Sequence, residues 1–334
     1  MTNVAINGLG RIGRCVLRAL FEEEKYSNFK LVTVNASAPL VTLRHLLKYD
    51  SVHGKFNKEI EISESDHSLI IDGKKVQVVS QRNPELLPWK EQKIDIVFEC
   101  TGQFTKKEDA QKHITAGAKK VILSAPSKSD DVKTVIYQVN SDIITKDDEI
   151  ISIGSCTTNC LAPVAKALND EIGIKQGFMT TIHAYTNDQN IVDNGHRDLR
   201  RARACAMSMI PTSTGAAKAI GLVLPELKGK LDGGAIRVPT SNVSMVDLTF
   251  VSEKEVTKDE VNQIIKKASE SSMNEVLQYV EEPLVSIDFN HTVYSSCFDS
   301  QLTKVNGNLV KISSWYDNEW AFSFRMLDIA SLTI

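Results

Sequence analysis

The chain has 334 residues, of which 42% are hydrophobic and 24% charged, and its formal net charge is -3. This length exceeds one ordinary domain, and the composition is typical of a globular protein rather than a disordered or fibrous one. The weak net charge excludes a strong field for a polyanion, so we expect no nucleic acid as main partner.

The distribution of apolar residues and cysteines limits the location of the protein. No apolar segment is long enough to span a bilayer, and we expect neither a signal peptide nor membrane association. The 6 cysteines are too sparse for a disulfide scaffold and lack metal-ligand spacing with histidine. We therefore expect free thiols, no bound metal and a cytoplasmic location.

The first part of the chain alternates short apolar segments with helical patterns. Strands are predicted at residues 4–6, 31–35, 94–99, 120–124 and 149–152, and helices at 11–24 and 106–116. This alternation predicts an α/β fold with an N-terminal Rossmann-type, doubly wound and mostly parallel sheet.

The second part has a different pattern. Strand-rich segments are predicted at residues 178–184, 235–238 and 243–251, with a helix at about 254–271. They predict an α+β domain with a mixed or antiparallel sheet. The expected division is residues 1–155, joined by a C-terminal helix at about 319–334, and residues 156–318; periodicity alone does not show where that last helix docks.

A glycine motif directly follows the first predicted strand and opens the first predicted helix. Gly8, Gly10 and Gly13 match G-x-G-x-x-G in the order that dinucleotide-binding folds require. The first glycine permits a tight turn, the second lets the backbone approach a pyrophosphate, and the third allows close helix–strand packing. We interpret this segment as a dinucleotide site.

The second strand ends without the acidic residue that normally holds the ribose hydroxyls of NAD. The segment reads Val34-Asn35-Ala36-Ser37. A carboxylate there would repel a 2′-phosphate, so its absence removes the usual obstacle to NADP. The alternative is that Asn35 or a backbone group holds the ribose and NAD is used.

A second candidate site surrounds Cys156, in a segment of small hydroxyl residues after a predicted strand. A cysteine at a helix start meets exposed amides and the positive end of the dipole, which both favour thiolate. His183, on a polar predicted strand, could serve as its base. From the residues alone, Cys156 could equally be a small buried packing residue. Cys160 is interpreted as a packing residue.

Seven motifs, in order along the whole chain, resemble the phosphorylating glyceraldehyde-3-phosphate dehydrogenase family. They are Asn7 to Arg14 (NGLGRIGR), Ser155 to Cys160 (SCTTNC), His183 to Thr186 (HAYT), Asp198 to Arg203 (DLRRAR), Pro211 to Ala217 (PTSTGAA), Arg237 to Thr240 (RVPT) and Trp315 to Glu319 (WYDNE).

The resemblance implies the chemistry. Cys156 would attack the aldehyde, His183 would act as base, the hemithioacetal would give hydride to the nicotinamide, and inorganic phosphate would cleave the thioester. Thr186 and Arg237 would hold the substrate phosphate. Four further residues would hold the attacking phosphate: Ser155, Thr157, Thr214 and Gly215.

The cofactor site combines the glycine motif with positions that the resemblance implies. Its predicted residues are Gly8, Gly10, Arg11, Ile12, Gly13, Ala36, Ser37, Arg82, Thr101, Ser124, Asn194, Gly195 and Asn318. Ala36 is Asp in most NAD-using relatives, and Asn194-Gly195 replaces a Leu-Pro pair. Ser37 and Arg82 occupy positions similar to those that contact the 2′-phosphate in NADP-accepting relatives. We predict NADP or dual use. Gln138, Phe322 and Phe324 also depart from the family pattern.

Two rival functions remain. Erythrose-4-phosphate dehydrogenase shares the thiol and the base, but departs from the family at the segments after His183 and around Thr214 that this chain keeps. A non-enzymatic dinucleotide-binding protein would leave Cys156 and His183 without a role. The resemblance also implies a homotetramer, in which a loop at about 185–209 crosses toward a neighbour's cofactor site.

Overall fold

In the computed structural model, which describes residues 1–334, the contacts divide the chain into two units. The first comprises Met1–Val135, Asp142–Gly154 and Ser323–Ile334, and the second Ile136–Ser141 and Ser155–Phe322.

The first unit is built on a nine-stranded sheet. The strands of this unit are β1 (Thr2–Asn7), β2 (Phe29–Asn35), β3 (Tyr49–Asp50), β4 (Gly54–Lys55), β5 (Ile60–Ser63), β6 (Ser68–Ile71), β7 (Lys74–Val79), β8 (Ile96–Glu99), β9 (Lys120–Leu123), β10 (Lys133–Thr134) and β11 (Ile150–Ser152). The helices of this unit are α1 (Arg11–Glu22), α2 (Leu40–Lys48) and α3 (Lys107–Thr115). Strands β3 and β4 form a separate ribbon.

The strand order of the large sheet is β10-β11-β9-β8-β1-β2-β7-β6-β5. Every pair from β10 to β7 is parallel, and only the β7-β6-β5 edge is antiparallel. The chain runs from β1 to β2 on one side of β1 and later returns to β8 on its other side. A cleft therefore opens at the carboxyl ends of β1 and β8. The predicted Rossmann-type sheet is confirmed.

The second unit contains a mixed sheet and three helices. Its strands are β12 (Ile174–Ala184), β13 (Ile210–Ser213), β14 (Leu231–Val238), β15 (Ser244–Ser252), β16 (Leu277–Val280), β17 (Ser296–Asp299), β18 (Lys304–Asn306) and β19 (Leu309–Tyr316). Its helices are α4 (Cys156–Ile172), α5 (Ala216–Val223) and α6 (Lys258–Ser269); α7 (Trp320–Ser331) begins in this unit and ends in the first. The order β13-β14-β12-β15-β19-β17-β16 combines parallel and antiparallel pairs, as predicted for an α+β domain.

The start of α6 is set by its capping residue. The helix predicted from about residue 254 begins at Lys258 because Thr257 caps it, with Glu260 bonding back to the Thr257 amide. The buried core of this unit lies between the sheet and α4, α5 and α6, with Leu161, Val164 and Leu168 of α4 at its centre. No helix in the structure combines the length and apolar character needed to cross a membrane.

The unusual Gln138 has a local structural role. Its backbone φ is 59°, a left-handed conformation that favours glycine. Its side-chain oxygen accepts a hydrogen bond from the Glu275 amide at 3.0 Å, and its amide nitrogen donates to Asn274. These bonds offset the backbone strain. Phe322 and Phe324 are buried, and the Phe324 ring packs edge-on against Tyr26.

Candidate active site

A cleft of the first unit lies at the carboxyl ends of β1 and β8. Its volume is ≈ 580 Å³. It is lined by Asn7, Gly8, Leu9, Gly10, Asn35, Ala36, Ser37, Ala38, Leu43, Ser80, Gln81, Arg82, Thr101, Gln103 and Phe104. A cleft at this position of a doubly wound sheet is where such folds bind ligands.

The three glycines are required for different reasons. Gly8 has φ 93°, and a Cβ there would lie 2.7 Å from the Thr101 methyl carbon. A Cβ on Gly13 would lie 2.0 Å from the Gly8 carbonyl oxygen, so only glycine allows α1 to pack here. Gly10 instead faces open space, and no side chain caps the start of α1. The first-turn amides are thus available to a phosphate, and the cleft fits a dinucleotide pyrophosphate.

The adenosine end of the cleft is not acidic. Ala36, Ser37 and Arg82 line it, and no Asp or Glu does. Both amide hydrogens of Asn35 are used, one by Asn7 Oδ1 at 2.6 Å and one by the Gln81 carbonyl at 2.7 Å. Asn35 therefore has no side-chain N–H left for a ribose hydroxyl.

Four predicted cofactor residues of the first unit do not line this cleft: Arg11, Ile12, Gly13 and Ser124. The Arg11 guanidinium instead pairs with Asp50 at 2.5 Å. Ile12 is half-buried in α1, and the Ser124 amide donates to the Glu99 carbonyl at 3.0 Å. Arg11 and Ser124 thus bond to neighbouring parts of the first unit and do not form part of the cleft wall.

A buried polar network behind the cleft was missed by sequence reasoning. The Glu99 carboxylate accepts hydrogen bonds from the Asn7 side chain at 2.5 Å, from the Thr101 amide at 2.7 Å and from the Thr101 hydroxyl. His113 Nε2 lies 3.1 Å from the same carboxylate, and Trp89 Nε1 donates to His113 Nδ1 at 3.0 Å. This network holds Asn7 and Thr101, which line the cleft. Glu99 ends a predicted strand, but nothing local signals its partners.

In the second unit, Cys156 is the first residue of α4. The Ser155 hydroxyl caps the helix by accepting from the Thr158 amide at 3.0 Å. The Cys156 sulfur lies 3.5 Å from His183 Nε2, although 27 positions separate the two residues. The structure thus brings together the predicted nucleophile and base, at a distance suited to proton transfer.

Sheet register brings Arg237 to the same imidazole. Strands β12 and β14 are parallel, and His183 is directly paired with Arg237. Arg237 Nη1 lies 2.8 Å from His183 Nδ1 and donates to the Ala184 carbonyl at 3.0 Å. The buried Nε of Arg237 has no hydrogen-bond partner. A guanidinium with an unused donor is a candidate site for an anion.

Burial dominates the titration of this pair. It raises the pKa of the Cys156 thiol, against the opposing influence of the Arg237 charge and of hydrogen bonds from Thr157. The expected stabilisation by the helix start is therefore present but smaller than the cost of burying a thiolate. Burial, reinforced by Arg237, lowers the pKa of His183 to about 3. The imidazole is consequently neutral near pH 7.

Tyr316 is a further residue of the site that the sequence did not single out. Its buried hydroxyl lies 2.9 Å from the Thr157 hydroxyl and 2.8 Å from that of Thr181, and its ring packs edge-on against His183. This ring contact limits the orientations that the imidazole can adopt. The Thr157 hydroxyl is thus directed into this buried network.

The other predicted phosphate residues occupy loops and helix starts. Thr186 Oγ1 lies 3.4 Å from Gln189 Oε1, just beyond β12. Gly215 is the N-cap of α5 and has no side chain over the helix start, while the Thr214 hydroxyl accepts from the Ala216 amide. Helix starts without side-chain caps have free amides suited to an anion.

The remaining predicted cofactor residues lie in the second unit. The Asn194 side chain accepts from the Gly195 amide at 2.8 Å within the 185–209 loop. Asn318 Oδ1 accepts from the Ser244 hydroxyl, which in turn accepts from the Ala184 amide. Asn318 is therefore linked to the strand that carries His183.

Comparison with known proteins identifies the family. Residues 2–107 match the NAD binding domain of glyceraldehyde 3-phosphate dehydrogenase, and residues 155–318 match its C-terminal domain. The plasmid glyceraldehyde-3-phosphate dehydrogenase of Cupriavidus necator is 54% identical over 327 residues, covering 98% of this chain and 97% of that protein.

Relatives from two bacilli agree. Glyceraldehyde-3-phosphate dehydrogenase 1 of Bacillus cereus is 52% identical over 332 residues, covering 99% of this chain and 98% of its own. The Geobacillus stearothermophilus protein of the same name is 54% identical over 330 residues, covering 98% and 97%. The chain therefore belongs to the glyceraldehyde-3-phosphate dehydrogenase family.

Proposed function

We propose that this chain catalyses the phosphorylating oxidation of D-glyceraldehyde 3-phosphate to 1,3-bisphosphoglycerate, with NAD or NADP as hydride acceptor. The observation that carries the proposal is the 3.5 Å contact between the Cys156 sulfur and His183 Nε2, with the Arg237 guanidinium on the same imidazole. The relatives described above are named for this activity, which also favours the triose phosphate over erythrose 4-phosphate.

The covalent steps belong to Cys156 and His183. The sulfur attacks the aldehyde carbon, and the thiol proton passes through His183 Nε2 to the aldehyde oxygen, giving a hemithioacetal. When that hydroxyl is oxidised, His183 takes its proton and a thioester remains. Inorganic phosphate then displaces the Cys156 thiolate. A neutral imidazole 3.5 Å from the sulfur is suited to each proton transfer.

The cofactor would be held in the cleft of the first unit and would supply the hydride acceptor for the oxidation. Gly10 and the first-turn amides of α1 would contact the pyrophosphate, and Thr101 the passing chain. Asn318 would hold the nicotinamide amide. Ser124 would support the cofactor site indirectly, because its amide donates a hydrogen bond to the Glu99 carbonyl, and would not contact the cofactor itself.

Two anion sites complete the proposal. Arg237 and Thr186 would hold the substrate phosphate, supported by the unpartnered buried Nε of Arg237. Ser155, Thr157, Thr214 and Gly215 would hold the attacking phosphate, supported by the start of α5, whose N-cap Gly215 has no side chain.

Cofactor choice would favour NADP or dual use. The cleft has an arginine, Arg82, and no carboxylate to repel a 2′-phosphate. Asn35, the alternative ribose ligand, has both amide hydrogens committed to other groups, and its Oδ1 already accepts from the Gln81 amide at 2.9 Å. Both observations support the interpretation of Ala36 and Ser37 as a pocket that accepts the extra phosphate.

Residues 1–155 with the C-terminal helix would form the dinucleotide-binding domain, and residues 156–318 the catalytic domain. We infer a homotetramer in which the loop at about 185–209, including Asn194 and Gly195, reaches a neighbour's cofactor. Its exposed apolar side chains support this assembly: Ile191, Val192, Leu199, Met207 and Met209. The six free cysteines support a reducing, cytoplasmic location.

The direct test is steady-state turnover of glyceraldehyde 3-phosphate plus phosphate, with NAD and NADP side by side. We expect turnover with NADP at least comparable to that with NAD, and none for Cys156→Ser. Erythrose 4-phosphate is the competing substrate. A strong preference for the tetrose would refute the substrate assignment, and turnover by Cys156→Ser would refute the thiol mechanism.

A further inference from the structure

A buried carboxylate lies behind the wall of the dinucleotide cleft. Glu99 is the last residue of β8, and its side chain is 1% exposed. It accepts hydrogen bonds from the Asn7 side chain at 2.5 Å and from the Thr101 amide at 2.7 Å, and both of these residues line the cleft. Glu99 therefore bonds to the cleft wall from the protein side. No step of the proposed reaction uses this carboxylate.

The histidine beside Glu99 does not neutralise it. His113 Nε2 lies 3.1 Å from the carboxylate, whereas His113 Nδ1 accepts a hydrogen bond from Trp89 Nε1 at 3.0 Å. An indole N–H can only donate, so Nδ1 holds no proton and the imidazole carries its single proton on Nε2. His113 is therefore a neutral donor to Glu99 and contributes no positive charge.

The hydrogen bonds that reach Glu99 favour a charged carboxylate. Its donors are the Asn7 side chain, the Thr101 amide, the Thr101 hydroxyl and His113 Nε2. The Thr101 oxygen accepts from the Gln103 amide at 3.1 Å, which leaves the hydroxyl proton for Glu99. Donors stabilise the ionised form, and no lysine or arginine forms an ion pair with it. The first unit thus holds an uncompensated negative charge next to the cleft.

The strand order places this charge on one side of the cleft. Ala36 and Ser37 follow β2, and Arg82 follows β7, so the predicted adenosine end lies on the β2 side of β1. Strand β8 lies on the other side of β1. A dinucleotide crosses a doubly wound sheet at the point where the strand order reverses. The nicotinamide half would therefore extend over the β8 side, to which Glu99 belongs.

We propose that the charge of Glu99 selects the oxidation state of the cofactor, by stabilising the oxidised dinucleotide relative to the reduced one. The nicotinamide ring is positively charged when oxidised and neutral when reduced, whereas the phosphates of the two forms are the same. Repulsion between Glu99 and the phosphates consequently cancels in the comparison. Glu99 does not line the cleft, so it acts through its electric field. The inference rests on the proposed dinucleotide site and deepens it.

Burial makes this field effective. Two charges about 10 Å apart interact roughly four times more strongly at the effective dielectric constant of ~20 that describes protein sites than in bulk water. Salt also screens a buried charge much less than an exposed one. The reduced dinucleotide, which is the product of the proposed oxidation, would therefore dissociate more readily than the oxidised one.

The test is the ratio of the dissociation constants of the oxidised and reduced cofactor, measured by calorimetric titration of the parent and of Glu99→Gln. Glutamine has nearly the same shape as glutamate and no charge. We expect the parent to bind the oxidised form more tightly, and the substitution to shift the ratio roughly fivefold or more toward the reduced form. The shift should be equal for the NAD and NADP pairs, because the 2′-phosphate is present in both oxidation states.

A merely structural role for Glu99 predicts a different result. Misplacement of Asn7 and Thr101 would weaken both oxidation states alike and would leave the ratio unchanged. His113→Gln keeps an N–H donor and the charge of Glu99, so it should retain the parent's ratio even if both affinities fall. Glu61→Gln makes the same substitution at an exposed position of β5, at the far edge of the sheet, and should change neither affinity.

Two results would overturn the inference: an unchanged ratio in Glu99→Gln, or a ratio that moves toward the oxidised form. If that variant does not fold, the parent decides, since equal or weaker binding of its oxidised cofactor would also overturn it. Glu99→Asp keeps the charge and should keep the parent's preference. A parent that binds none of the four dinucleotides would refute the proposed cofactor site itself, whereas binding with a ratio that ignores Glu99→Gln refutes only the role of this charge.

Discussion

At the scale of single residues, the proposed cofactor choice depends on one small side chain. Ala36 directly follows β2 and lines the same cleft as Arg82. A carboxylate here would be close to the 2′-phosphate of NADP, and the methyl group of alanine has no such charge. The chain therefore lacks the group by which many dinucleotide folds exclude NADP.

We predict that Ala36→Asp lowers kcat/KM with NADP roughly tenfold or more, from ~1–2 kcal/mol of charge repulsion, and does not lower it with NAD. Steady-state kinetics with both cofactors measure the change. Ala36→Asn is the matched control, since it has the same shape without the charge. If asparagine lowers NADP use as much as aspartate, the effect is steric and our interpretation of Ala36 is wrong.

The depressed pKa of His183 leads to a pH dependence of stability. Burial and Arg237 lower this pKa to about 3, whereas the unfolded chain takes up the proton near 6.5. Between these values the unfolded state binds more protons, so stability falls as pH decreases below about 6.5. We expect His183 to contribute ~2 kcal/mol of destabilisation at pH 5 relative to pH 7.

Denaturant unfolding of the parent and of His183→Gln at pH 7 and pH 5 checks this expectation. The variant should lose less stability than the parent on acidification. His45→Gln, the same substitution at an exposed position, is the control. Equal pH dependence in the parent and His183→Gln would contradict the depressed pKa.

At the scale of elements, the pairing of β12 with β14 decides the geometry of the site. Met179 is opposite Gly233 in this parallel pair, and His183 is opposite Arg237 four residues later. A Cβ on Gly233 would lie 2.0 Å from the Met179 carbonyl oxygen. A Cβ on Gly234 would meet only the Thr212 carbonyl oxygen, at 3.6 Å. Two adjacent glycines thus have different structural constraints.

We predict that Gly233→Ala destabilises the protein by about 3 kcal/mol or more and lowers kcat, because the strands must separate or shift next to His183 and Arg237. Gly234→Ala should change stability by less than about 1 kcal/mol. Thermal unfolding and turnover of both variants provide the comparison. Similar losses in the two would mean that close strand contact is not what requires glycine at 233.

At the scale of the whole molecule, the loop at 185–209 exposes several large apolar side chains. Leu199 is 82% exposed and Met207 87% exposed. The loop is tied to its own unit by Arg201, which pairs with Asp188 and donates to Thr212. An ordered loop that presents apolar side chains to solvent is a candidate subunit interface.

We predict that Leu199→Asp weakens the proposed homotetramer, because a charge would be buried without a partner in the inferred interface. Size-exclusion chromatography with light scattering should show smaller species at low protein concentration. Leu86→Asp, at an apolar residue 67% exposed in the first unit, should leave the assembly unchanged. A Leu199→Asp protein of unaltered mass would show that this loop is not the interface.

Several features of this protein were predictable because they depend on short segments of chain. The alternation of strands and helices, the glycine motif after β1 and the position of Cys156 at the start of α4 all follow from local periodicity and turn chemistry. The family resemblance, based on motifs in order, identified Cys156 and His183 as a pair. Neither the local patterns nor the family resemblance required knowledge of distances between residues.

Other features were decided only by tertiary structure, because they depend on register and burial between distant segments. The pairing of β12 with β14 puts Arg237 on the imidazole of His183, 54 positions away. Burial outweighs the helix start in setting the direction of the Cys156 pKa. The Glu99 network likewise joins residues up to 106 positions apart. A local pattern gives the identity of such groups, whereas only packing determines their neighbours and their solvation.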